Sequence, residues 1–470
     1  MMKTEIINYA GMKESMGAVF SVTYGKDRVI MDFGSAFDPE KSGYVKKDDN
    51  WIRDKLDLGL LPGIEGLYPA EYLKGYKLRS YQDCDYNSAV FVSHLHLDHM
   101  SNIGAIDRNV RVYMSDNARK LEYALEEMKQ GVDTIGREYS TFRNMEYVTV
   151  GRIKVLSIMN SPYSYNMYGF LIETPDMKIG YTADLSLCYE CPEMVHREME
   201  IFRDAHLDVL YCDNCNFDDE SLKRFFGSTD VDSIIGSSQI PEGMVSFRQH
   251  YEYIETLFRG NKGLVVFNHY EREMLDVERY YQWAEKEKRE VVFEPQAAWL
   301  VYRFFNRRVN VYLNGYENSD KWFRELLENA EIITREDIIR EPGRYYLHNS
   351  YGNIDELFRL KTPDAVYVHA EGNPFNSRDK EVMKSKVRKA GFRFETYDTD
   401  NYYQHGYPNM VKYFVETITP KTVIGYHGRY PERITAANVR TLVPDYYKKY
   451  YLKNGKLTEA VEELSYESND

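Results

Sequence analysis

Cysteine is scarce: five residues in a chain of 470. A small, odd number at that length excludes a disulfide-built scaffold and fits a reducing compartment. No run of 18 apolar residues occurs, which excludes a hydrophobic spanning helix. The opening MMKTEIINYAGMKES lacks a basic stretch followed by an apolar one, so no secretory leader is expected and a cytoplasmic location is. Positive charge is short as well. Lys and Arg total 60 against 74 Asp and Glu, a formal net charge of −14. That argues against wrapping nucleic acid by bulk charge, though not against a local basic groove. No Pro- or Gly-rich linker and no internal repeat marks a domain boundary. What is present is a hydrophobic content of 43%, enough for a globular core, and 42 tyrosines. At roughly 150 residues per domain the length suggests about three blocks. The polar end, EELSYESND, is expected to fray.

The first 160 residues read as strands with few helices. Ala18 to Tyr24 and Arg28 to Met31 flank Gly25-Lys26 and suggest a hairpin. Tyr147 to Val150 with Ile153 to Ile158, and Gly169 to Glu173 with Lys178 to Thr182, suggest two more. Ala89 to Val92 and Arg111 to Met114 are apolar strands, the second followed by a helix from about Ala118. Beyond about 205 the pattern alternates strand and helix, from Val209 to Cys212 through Arg393 to Tyr397. That rhythm predicts an α/β fold with a parallel sheet covered by helices. A helix near Pro408 to Thr417 and a strand Thr422 to Tyr426 follow.

The strongest chemical signal is Ser93-His94-Leu95-His96-Leu97-Asp98-His99, directly after the strand Ala89 to Val92. Four ligand-type residues fall within six positions, in a chain holding only 11 histidines. In an extended segment His94 and His96 face the same way, while Asp98 and His99 enter the next turn. Imidazole and carboxylate at this density suit zinc or a similar divalent ion. A lone histidine at a strand end is usually structural, and His196, His206, His250, His269, His348 and His369 are read so. His369, following Ala365 to Val368, is the reserve candidate.

The run His94 to His99 resembles the HxHxDH motif of the metallo-β-lactamase superfamily. Ahead of it, Met31-Asp32-Phe33-Gly34 resembles that family's early Asp-Gly motif, which braces the metal loop. Thr182-Ala183-Asp184 resembles its bridging aspartate motif, and Tyr426-His427-Gly428 its last ligand. The resemblance implies an αββα sandwich and two divalent metal ions, zinc with manganese as the alternative. It assigns them to His94, His96, Asp98, His99, Asp184 and His427, with Asp98 also catalytic. The family's remaining histidine ligand is missing. Asn160 stands in its place, facing metal or substrate, and an amide carbonyl is a poor zinc ligand, so the first site is expected to be weak.

The length between Asp184 and His427 resembles the β-CASP branch, which includes ribonuclease J. There an inserted α/β domain roofs the active site. Leu210 to Asn216 resembles the acidic motif at the entry to the insert, with Asp213 as a substrate-side acid. Gln404-His405-Gly406-Tyr407 resembles the branch's histidine that contacts the scissile phosphate. The resemblance divides the chain into 1–216, the first part of the metallo-β-lactamase domain, 217–375, the β-CASP-like insert, and 376–470, its C-terminal part. It implies cleavage of RNA, with Tyr402, Tyr403 and Tyr407 placed to stack on bases. RNA is then the partner, no membrane is involved, and a homodimer stays open. Two other functions stay open too: hydrolysis of a small ester, amide or thioester, and a degenerate scaffold. Cys188-x-x-Cys191 and Cys212-x-x-Cys215 stand near structural-zinc spacing, against the alternative of four reduced thiols.

Overall fold

The computed structural model describes residues 2–36, 50–132, 136–162, 167–187, 191–234, 236–370, 372–374, 377–396 and 405–460. Two mixed sheets stack face to face. The first has eight strands and runs from Lys456–Glu459 through Thr4–Ala10, Asp27–Met31 and Asn87–Phe91 to Ser140–Phe142. The second has seven and runs from Arg440–Thr441 through Thr422–Tyr426, Val209–Asp213 and Lys178–Tyr181 to Tyr147–Val150. The period of two decides which residues meet. Ala89 and Phe91 point into the apolar layer between the sheets, with Phe170, Tyr181, Tyr211 and Tyr426 from the other side. Val90 and Val92 point outward, into the layer that holds the helices. Helix Asp116–Glu127 covers the first sheet. It starts where the Ser115 hydroxyl accepts from Ala118 N at 3.2 Å, and it buries Leu121, Ala124 and Leu125. Helices Pro192–Ala205 and Pro408–Ile418 cover the second. The order of layers is therefore helix, sheet, sheet, helix.

The expected hairpins all form: Val19–Tyr24 with Asp27–Met31, Tyr147–Val150 with Ile153–Ser161, and Met167–Glu173 with Lys178–Tyr181. The chain does not end its sheets at Tyr426. A further hairpin, Lys449–Lys453 with Lys456–Glu459, turns at Asn454 and Gly455, whose φ values are +53° and +73°. Such a pair suits a two-residue hairpin turn. This hairpin pairs with Thr4–Ala10, so the two ends of the chain close the same sheet.

A third sheet of seven strands is parallel at every junction and spans Val265–Asn268 to Arg393–Thr396. Its interior strands Val265–Asn268 and Val366–His369 are buried throughout, as a parallel sheet covered on both faces requires. Arg393–Thr396 pairs with Val366–His369, so this sheet continues past residue 375. The loop leaving Val265–Asn268 carries Tyr270 to Glu273 onto the run that begins at His94. Arg272 Nη1 donates to Glu122 at 3.0 Å and to the Leu95 carbonyl at 3.4 Å, with Arg272 and Glu122 both buried. Removing one partner of a buried pair typically costs about 3–5 kcal/mol, so this contact ties the third sheet firmly to the first.

Candidate metal centre

The site lies where strand ends of the first two sheets meet. Asn87–Phe91 delivers Ser93 to His99, Lys178–Tyr181 delivers Asp184, and Thr422–Tyr426 delivers His427. Three residues in or beside this cluster have positive φ: Asp32 at +48°, Ala183 at +49° and His427 at +69°. None is glycine, and such conformations concentrate where a site over-determines the backbone. Gly34 permits the closest approach: a Cβ there would lie 1.7 Å from the Asp98 carbonyl oxygen.

Asp32 braces the metal-type run. It accepts from Ser93 N at 2.7 Å and from the Ser93 hydroxyl at 2.9 Å, and it also accepts from the Tyr181 hydroxyl. His99 Nδ1 lies 2.7 Å from the same carboxylate. The opposite ring nitrogen, His99 Nε2, then faces Asp184 Oδ1 at 3.0 Å and Asp98 Oδ2 at 3.6 Å. His427 Nε2 lies 2.9 Å from Asp98 Oδ2 and 3.6 Å from Asp184 Oδ1. His94 Nε2 lies 3.3 Å from Asp184 Oδ2. Two overlapping donor sets result: His94, His99 and Asp184, and Asp98, His99 and His427. His94 Nε2, His99 Nε2 and Asp184 Oδ1 are buried without a hydrogen-bond partner. A ring lone pair aimed at a carboxylate is repulsive unless a proton or a cation lies between them. The donors present therefore fit a divalent ion of the zinc type.

The charges are set accordingly. Burial opposes charge on His99, but Asp184, Asp98 and Asp32 outweigh it and raise its pKa well above the ordinary. His427 rises in the same way, burial being outweighed by Asp184 and Asp98. Burial would raise Asp184, yet the imidazoles of His99, His405 and His94 hold it well below the carboxylate range. His94 falls to about 4, through burial first and then through the neighbouring His99.

His96 has a partner that the sequence does not disclose. Its Nε2 lies 2.9 Å from Glu273 Oε1, a buried carboxylate from the third sheet's loop, and its Nδ1 lies 3.9 Å from Asp184 Oδ2. Burial disfavours the imidazolium, but hydrogen bonds to Asp184 and Glu273 push the pKa up to about 9. A carboxylate behind a ligating histidine fixes its tautomer and orientation, and losing one typically costs 10–100-fold in metal affinity. Glu273→Ala is expected to weaken one ion by about that factor, with Glu273→Gln, which keeps an acceptor, nearer wild type. Calorimetric titration of the metal-free variants checks it. Equal affinities for Ala and wild type would show that Glu273 does not orient His96.

His405 joins the cluster from a separate segment. Its Nδ1 lies 2.7 Å from Asp213 Oδ2. Burial opposes its charge, while Cys215 and Asp213 raise its pKa to about 10. Asp213 is buried and also accepts from Leu185 N at 3.0 Å and from Cys215 N at 2.9 Å. Both oxygens of Asp213 are thus engaged inside the protein. Asn160 is buried too. Its amide donates to the Thr182 carbonyl at 2.8 Å and lies 3.5 Å from Glu198 Oε2, while its own Oδ1 has no partner. Those contacts turn the amide nitrogen toward helix Pro192–Ala205. Tyr407 does not present its ring for stacking: it is buried and its hydroxyl donates to the Val245 carbonyl at 3.3 Å. Tyr402 and Tyr403 lie outside the described residues. So does Cys188, while Cys212 is buried in the core. His369 Nδ1 lies 3.0 Å from Asn268 Oδ1 within the third sheet. Among the described residues, no helix is long and apolar enough to cross a membrane.

No protein-family model matches the chain, and no curated protein matches it. Among solved structures, a protein of unknown function from Enterococcus faecalis V583 aligns with a TM-score of 0.74 at 22% identity. The alignment covers 96% of this chain and 100% of that one. The two share a fold, a likeness that says nothing of activity. The metallo-β-lactamase fold protein YhfI from Bacillus subtilis aligns at a TM-score of 0.27 and 15% identity, over 45% of this chain and 72% of that one. That likeness is too slight to argue from.

Proposed function

We propose that the chain is a metal-dependent hydrolase of the metallo-β-lactamase type, acting on phosphodiester bonds of RNA. The observation that carries the reading is the convergence of His94, His99, Asp184, Asp98 and His427, with unpartnered buried donor atoms facing one another. In this reading Asp184 would serve both ions, and Asp98, His99 and His427 would complete the better-furnished position. His94 and His96 hold the other, with Asn160 in place of a third imidazole. A bound pair of such ions supplies an activated water at neutral pH and neutralises charge on the attacked group. The remaining work falls to the protein. Asp32 fixes His99, Glu273 fixes His96, and Asp213 fixes His405, whose raised pKa keeps it protonated near pH 7. A protonated imidazole beside the ions can donate to a phosphoryl or leaving oxygen. The third sheet, docked over His96, supplies the roof of a cleft, in the manner of a β-CASP insert.

One observation favours a second reading, hydrolysis of a small ester, amide or thioester. The roof brings the Glu273 carboxylate to the site and the chain is acidic overall, a poor welcome for a polyanion. One assay separates the two. Labelled single-stranded RNA and a chromogenic ester are each incubated with protein loaded with zinc, manganese or magnesium. Metal-dependent RNA cleavage supports the first reading. Ester hydrolysis alone supports the second. Tight RNA binding without cleavage under any metal would leave a scaffold.

A further inference from the structure

Among the described residues, Cys215 is the cysteine drawn into the polar cluster, and neither reading above uses it. Its Sγ, a ring nitrogen of His405 and a ring nitrogen of His427 all lie within 4.8 Å of one another. Asp213 arranges two of these three donors at once. Its Oδ1 accepts from Cys215 N at 2.9 Å, and its Oδ2 lies 2.7 Å from His405 Nδ1, which leaves His405 Nε2 as the free ring nitrogen. A carboxylate behind an imidazole in this way is the arrangement that orients a ligating histidine. The ring centroids of His405 and His427 are 4.6 Å apart. His427 is buried, and its Nδ1 has no hydrogen-bond partner. Cys215 and His405 are partly exposed.

From this geometry we propose a further metal position, made by Cys215, His405 and His427 and adjoining the carboxylate-rich centre through His427. Its donors differ in kind from the centre already described. One thiolate and two imidazoles form a soft set that selects zinc and comparable ions over magnesium or calcium. Zinc holds sulfur at about 2.3 Å and imidazole nitrogen at about 2.0–2.1 Å. Ligand atoms already within 4.8 Å of one another need only small side-chain movements to close on one ion. The position shares His427 with the carboxylate-rich centre and adds Cys215 and His405, whether or not the chain hydrolyses RNA. It bears on that reaction in one way: an ion held there would occupy His405 and remove it from proton donation. Binding at this position would therefore oppose the role given to His405 above.

Cobalt(II) supplies the test, because thiolate ligation to cobalt gives a charge-transfer absorption in the near ultraviolet that imidazole and carboxylate ligation do not. Metal-stripped full-length protein is titrated with cobalt, and the absorption is read together with bound metal per chain. The expected result is a thiolate band in wild type that is lost in Cys215→Ser and Cys215→Ala, together with one equivalent of cobalt. The band is expected to persist in Cys84→Ser and Cys191→Ser, and in Asp184→Ala, which lacks the bridging carboxylate. A second readout uses native protein. Zinc should slow alkylation of Cys215 at least ~10-fold, as followed by peptide mapping, through occupation of its thiolate. Wild type without a thiolate band would overturn the proposal. So would a band that survives both Cys215 variants, which would place the sulfur ligand at another cysteine. Unchanged alkylation at saturating zinc would overturn it as well.

Discussion

Asp184→Ala is expected to strip the centre of metal and reduce hydrolysis by more than roughly 10³-fold. The magnitude follows from position. Asp184 presents one oxygen to His99 and His427 and the other to His94, so it faces both donor sets. Losing one preorganised donor at a reacting centre typically costs 10²–10³ in rate, and in the proposed centre this substitution removes a ligand shared by two ions. It also leaves His99 and His427 without the anion that most offsets their burial. Their pKa values should fall toward the ordinary one. Bound metal and turnover are the paired measurements. A variant that keeps two ions and wild-type turnover would remove Asp184 from the centre.

His405→Ala should separate the two quantities. His405 reaches the cluster from its own segment and is held at Asp213, so the carboxylate-rich donors survive its loss. Metal at Asp98, His99, Asp184 and His427 is expected to stay, while the rate falls by roughly 10²–10³. The pH profile gives a further check. A group with a pKa near 10 keeps its proton through neutral pH and releases it above, so wild-type activity should decline on the alkaline side. The variant should lack that decline. Loss of the metal held by Asp98, His99, Asp184 and His427 in His405→Ala, with no specific loss of rate per bound ion, would make the residue a ligand of that centre and not a proton donor.

The parts of the centre that the sequence made legible share one property. His94 to His99, Asp184 and His427 each leave an apolar strand, and a strand end followed by ligand-type residues is a local pattern. Asp32 could be read in the same way. The contacts that complete the geometry are not local. Glu273 lies 177 positions from His96, and no spacing rule joins them. The left-handed backbone at Ala183 and His427 falls on residues that carry no such signal, because the site imposes it. Asp213 was legible as an acid at a strand end, but its partner was not, since the Cys215 amide and the His405 ring meet it only in the fold. The same limit applies to architecture. Asn454-Gly455 announces a hairpin, yet nothing in it says that the hairpin pairs with the strand at residues 4–10. In the third sheet the strands Val309–Val311 and Ala330–Ile332 have three residues each, too short for an alternating pattern to show.

The central claim is that these buried donors hold metal. It is tested most directly by elemental analysis of the protein purified without chelator and again after reconstitution with zinc or manganese. The expected content is at least one tightly held ion per chain, with the second weaker. Metal must displace the protons that the carboxylates hold on His99 and His427, so affinity should rise with pH. Protein that carries no ion, and takes up none with either metal across neutral pH, would contradict the account.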